Sequence, residues 1–140
     1  MRKYLAVLAA LSVAACASGT PMQESKEAAA PIPKDMGRIV VYRTGIMGTA
    51  IQPGIAVDGS YKGKCIPKGA FSVDVKPGNH LISTETESRV ETLVTVGKQQ
   101  TSYVRCSIGM GVVVGRPVLE VVPPATGQSE SASLAFTGKY

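Results

Sequence analysis

Between Arg38 and Val122 the chain is a succession of short β-branched runs, each closed by Gly, Pro or Asn. That rhythm constrains the fold more than any other feature. Phe71-Ser72-Val73-Asp74-Val75 alternates with period two, which puts Phe71, Val73 and Val75 on one face of a strand. Lys76-Pro77-Gly78-Asn79 then turns the chain, because Pro presets φ and Gly and Asn tolerate left-handed backbone. His80 to Glu85 reads as the return strand. Arg38–Arg43, Ile55–Val57, Tyr61–Cys65, Val90–Val96, Thr101–Ser107 and Pro117–Val122 supply the other strands, with Asp58-Gly59-Ser60 as a further turn. Seven or eight such runs, about ten residues apart, predict an all-β fold over residues 38–123, an antiparallel sandwich or barrel, with a small antiparallel β-sandwich the expected form. No stripe of helical period competes there. Pro123-Pro124 ends the last strand. Residues 124–140 read as a surface tail, with a short helix at Gln128–Leu134 and contacts back to the domain through Leu134, Phe136 and Tyr140.

The start of the chain has a different texture. Arg2 and Lys3 precede an uncharged, mostly apolar run from Tyr4 to Ala15. A spanning helix needs about 20 apolar residues, so this run is too short to cross a bilayer. Its length and basic flank fit the hydrophobic region of a signal peptide, residues 1–15. Val13-Ala14-Ala15-Cys16 resembles the lipobox of bacterial lipoproteins. That resemblance implies that the Cys16 thiol takes a diacylglyceryl group and that the chain is cut just before it. A thiolate is the nucleophile such a reaction needs. Each buried methylene adds about 0.8 kcal/mol, so two or three acyl chains anchor where one does not. Ala17 and Ser18 follow the cysteine without an Asp. By resemblance to enteric lipoproteins, this implies a place on the periplasmic face of the outer membrane. Residues 16–37, rich in small residues, Pro and charge, read as a flexible tether spanning roughly 25 Å.

An exported chain meets an oxidising compartment. Of the three cysteines, Cys16 is spoken for, which leaves Cys65 and Cys106 to form a disulfide. A loop of about 40 residues closed in this way is worth roughly 4 kcal/mol in the chain-entropy account. Two buried thiols or a redox pair are the alternatives, and no Cys-x-x-Cys spacing supports the second. Formal charge is +5, of which Arg2 and Lys3 contribute two. Mild basicity, five tyrosines, two phenylalanines and no tryptophan give no platform for stacking bases, so nucleic acid is not an expected partner.

Catalytic and metal chemistry find little footing. The glycines of Gly109 to Pro117 invite a phosphate-loop reading, but β-branched residues and a proline follow where a helix is required. That stretch reads instead as a loop or bulged strand, or as an exposed apolar loop that docks on a partner or lipid, with Met110, Val112, Val113, Val114 and Arg116 the candidate contact residues. His80 is the lone histidine. A serine, His80 and an aspartate are the residue types of a hydrolase triad, yet no Gly-x-Ser-x-Gly elbow is present. Glu85, Glu87 and Glu91 read as a solvated edge. Lys62 and Lys64, with Lys68 and Lys76, read as solubilising charge or as contacts for lipid phosphates. No ligand set for a metal and no cofactor motif emerges.

The order of motifs is itself informative. "RIVVYRT", then "IAVDGSYKGKCIPKGAFSVDVKPGNHLI", then "SYVRCSIGMGVVVGRPVLEVV" resembles the bacterial lipoprotein family known as domain of unknown function 2846, over roughly residues 37 to 125. The Val57 to His80 portion is also similar to PEGA-type β-modules of envelope proteins. The resemblance implies a small β-sandwich and no catalytic residues. The expectation is a non-enzymatic binding or structural module of the envelope that binds a protein partner or another envelope component, with a small-ligand, lipid or glycan binder as the alternative.

Overall fold

A computed structural model describes residues 16–111 and 115–140. The signal-peptide reading of residues 1–15 and the contact roles of Val112, Val113 and Val114 concern residues outside that description. The described chain folds as β1 (Gly37–Tyr42), β2 (Gly54–Val57), β3 (Ser60–Lys64), β4 (Gly69–Val75), β5 (Gly78–Glu85), β6 (Arg89–Val96), β7 (Thr101–Gly109), β8 (Arg116–Val122), α1 (Pro124–Ser131) and β9 (Ala135–Lys139).

The strands form two sheets. One has the order β8-β7-β1-β4-β9 and the other β3-β2-β5-β6. The all-β sandwich is as expected, but the larger sheet is mixed. β1 pairs antiparallel with β4 and parallel with β7, and β9 pairs parallel with β4. The central strand β1 is buried along its whole length, which is why Arg38-Ile39-Val40-Val41-Tyr42 reads as a run rather than an alternation.

Two hydrophobic layers explain that burial. Between the sheets lie Ile39, Val41, Phe71, Val73, Val104 and Cys106 from one side, and Ile55, Val57, Ile82, Val94 and Val96 from the other. β3 crosses directly above Phe71. A Cβ on Gly63 would sit 2.9 Å from that ring, so only glycine allows the approach. Cys65, just past β3, is disulfide-bonded to Cys106 of β7, with a Cα separation of 6.2 Å. The bond therefore ties one sheet to the other through the core.

The second layer lies on the outer face of the larger sheet, where Val40, Tyr42, Ala70, Val122 and Leu134 pack with Met22 and Tyr103. The segments expected to be a tether and a tail cover it. The expected flexible tether is instead an ordered strap. The Ala17 N–H donates to the Pro67 carbonyl at 2.8 Å, the Met22 N–H to Leu134 at 2.8 Å and the Phe136 N–H to Thr20 at 2.9 Å. The Arg38 guanidinium reaches the carbonyls of Ala28 and Ala30, and the Gln99 side chain donates to that of Pro33. Most of these partners are backbone groups, which leave no periodic trace in sequence.

The tail is also structured. α1 spans Pro124–Ser131 rather than Gln128–Leu134, because proline at the first turn is preset for a helix. Beyond it, β9 extends the sheet. Leu134 is buried, and the Tyr140 ring meets Phe71 edge-on at 5.9 Å.

Candidate functional site

β1 delivers Arg43 into the base of the sandwich, where it is 1% exposed. Its guanidinium donates to the carbonyls of Ile51 at 2.8 Å, Cys65 at 2.9 Å, Met47 at 2.6 Å and Gly48 at 3.1 Å. Arginine suits this task, since its planar fork carries five donors and no acceptor. Burial holds its pKa below the usual arginine value.

Arg43 thereby folds the loop between β1 and β2 into a fixed shape. Gly48 takes a left-handed φ of 67°, which closes the turn from which Ile51 N–H bonds back to Gly48. With the backbone turned inward, Ile46 and Met47 project outward, 60% and 68% exposed. The loop after β7 lies alongside. A Cβ on Gly115 would fall 2.2 Å from Ile108 of β7 and 3.0 Å from Ile51 of the β1–β2 loop, so glycine lets the two loops close together. Met47, Ile51, Ile108 and Met110 border an open hollow of about 370 Å³, and Met110 is 91% exposed.

Cys16 sits at this same end. It is exposed, and its neighbour Ala17 is pinned to Pro67 in the connection between β3 and β4. Lys64 and Lys68 flank that connection, both exposed. Of the predicted contact residues, Met110 is part of this surface. Arg116 lies at its rim, 3.3 Å from Glu87. Ile46, Met47 and Arg43 were not anticipated. The apolar pair enclosed by glycines in Gly45-Ile46-Met47-Gly48 is the sequence signal for the first two.

A second polar cluster occupies the opposite end. Asp58 and Gly59 have φ of 51° and 84°, the left-handed pair of a tight two-residue hairpin between β2 and β3. The Asp58 carboxylate accepts from Leu81 N–H at 2.9 Å and meets His80 Nδ1 at 2.6 Å, while His80 Nε2 is 2.7 Å from the Lys76 carbonyl. Hydrogen bonding from His80 and Leu81 holds the Asp58 carboxyl below the usual aspartate value. Burial alone lowers the His80 pKa, but the Asp58 carboxylate and the Lys76 carbonyl outweigh it and the net shift is upward. Both ring nitrogens face acceptors, so the doubly protonated ring fits best. The hollow beside it is lined by Asp58, Ser60, Lys62, Lys76 and His80.

The three glutamates do not converge. Glu91 and Glu85 face Arg89 at 2.8 and 4.0 Å, and Glu87 faces Arg116. Such exposed ion pairs contribute little on their own.

The family described as protein of unknown function (DUF2846) matches residues 33–117. The chain belongs to this family. The matched stretch runs from the end of the strap to the start of β8, and so includes the Arg43 loop, the disulfide and the Asp58–His80 turn. A relative from Haemophilus influenzae, itself described as an uncharacterized protein, is 30% identical over 132 residues, covering 89% of this chain and 77% of its own length. No solved structure matches.

Proposed function

We propose that this member of the family is a lipid-anchored envelope protein, held through Cys16 at the periplasmic face of the outer membrane. It is a non-enzymatic module that works by binding another component of the envelope. One observation carries the reading: the cysteine that ends a lipobox-like stretch is exposed at the edge of the folded body, where an attached lipid has room.

The test is the mass and partitioning of the protein isolated from its native envelope. Cleavage before Cys16 with an added diacylglyceryl mass, and partition into detergent, is the expected result. Cys16→Ser abolishes both. A water-partitioning protein that keeps residues 1–15, or carries no lipid on Cys16, refutes the reading.

A second reading rests on the hollow beside His80, where Lys62 and Lys76 could meet an anionic or sugar ligand. A ligand that binds only the folded state raises the melting temperature. Envelope glycan fragments that raise it in the native protein, but not in Lys62→Ala, favour this alternative.

A further inference from the structure

We propose that the Cys16 end of the sandwich is itself a membrane-contact face, with Ile46, Met47 and Met110 entering the lipid leaflet beside the anchor and Lys64 and Lys68 meeting anionic headgroups. This rests on the lipid-anchor reading and names the bilayer as the component bound.

The first argument is one of reach. The sequence predicted a tether of roughly 25 Å that would let the domain stand clear of the membrane. The ordered strap removes it. Ala17 is already bonded to the body through the Pro67 carbonyl, and a Cβ on Gly69 would touch the Ala17 side chain at 2.8 Å. One residue of extended chain spans at most about 3.6 Å. Acyl chains on Cys16 therefore enter the bilayer within a residue of the folded body, and the surface around Cys16 must lie against the headgroups.

The second argument is what that surface carries. Ile46, Met47 and Met110 are all more than half exposed, at 60%, 68% and 91%. A monomer in water gains nothing from an apolar cluster of this kind, whereas a membrane interface does. Methionine adapts its shape to a fluid neighbour. Four of the loop's carbonyls are also paired, which lowers the cost of carrying them into lipid. The Met47, Gly48 and Ile51 carbonyls are held by Arg43, and that of Ile46 by the Thr49 hydroxyl at 2.5 Å. Among the described residues, no acidic side chain pairs with Lys64 or Lys68, which leaves both free for phosphate.

The test uses the acylated full chain, with Cys16 modification read by mass, in vesicles of phosphatidylethanolamine and phosphatidylglycerol. A polarity-sensitive dye is placed on Met47→Cys, Met110→Cys and, at the far end, Ser60→Cys. The proposal expects blue-shifted emission and several-fold quenching by acyl-chain quenchers at the first two positions and none at the third. Acylated protein without a dye gives a second readout: amide exchange in residues 44–52 slows on vesicles relative to detergent, and that in the 76–79 turn does not. Acylated protein whose labels at Met47 and Met110 stay in water, with unchanged exchange, overturns the proposal. A photo-reactive group placed on the same cysteines in place of the dye, if it cross-links to another chain, overturns it in favour of a protein partner. Unacylated protein instead overturns the anchor reading, and this inference with it.

Discussion

His80 and Asp58 tie a hairpin turn to the neighbouring strand, and their bond gives the protein a pH dependence whose sign can be worked out. The folded-state pKa of His80 lies above the ordinary 6.5, so its contribution is complete below that value and fades as pH rises through the folded pKa. Asp58 lies below the ordinary 3.8, so its contribution is complete above that value and is lost as pH falls through its folded pKa. The pair is strongest between these limits. Asp58 is half exposed, so solvent screening caps the effect at about 1 kcal/mol. Thermal melts from pH 6 to pH 9 should therefore show a loss of a few degrees in the wild type and a flatter profile in His80→Gln. Parallel profiles would mean that the pair contributes nothing. Arg43 works differently, because its partners are carbonyls that do not titrate, and it holds its loop at any pH in this range.

At the level of elements, legibility tracks alternation. Phe71 to Val75 and His80 to Glu85 were plain in sequence because one face of each is buried and a Pro-Gly turn joins them. β9 was not. All five of its residues, Ala135 to Lys139, are half-buried, so nothing alternates, and Gly138 with φ of 149° interrupts the pattern. Its place is fixed by backbone bonds to β4. Ala135 N–H donates to Lys68, Tyr140 N–H donates to Ser72, and Asp74 N–H donates to Tyr140. Parallel pairing with a distant strand has no local signature either, since it depends on what the intervening chain does. Deleting residues 135–140 should cost roughly 3 to 4 kcal/mol, from about 1 kcal/mol for each of those bonds and a similar amount for the Phe71–Tyr140 ring contact. It also bares the edge of β4, so concentration-dependent association should follow. Denaturant unfolding and light scattering measure the two effects. A truncated chain of native stability would show that β9 is dispensable.

Across the whole molecule, the disulfide joins the two sheets near the Cys16 end. The pairing of Cys65 with Cys106 was legible from compartment and count alone. The site it supports was only half legible: Met110 was visible as an apolar loop residue, whereas the Arg43 clamp depends on a loop conformation no motif announces. The two meet at one residue. Cys65 contributes its sulfur to the bond and its carbonyl to Arg43. Cys65 and Cys106 are 41 positions apart, so removing the cross-link should cost roughly 4 kcal/mol. For a chain of this size that lowers the melting temperature by roughly 10 to 20 °C. Cys65→Ala/Cys106→Ala, melted beside the wild type, measures the total. Amide exchange in the double variant says where the loss falls. Protection should drop first in the loop between β1 and β2, because its carbonyl clamp loses a fixed partner. The Asp58–His80 turn, at the other end, should keep its protection until global unfolding. Uniform loss would make the disulfide a staple of the whole sandwich, with no special bearing on the face that carries Cys16.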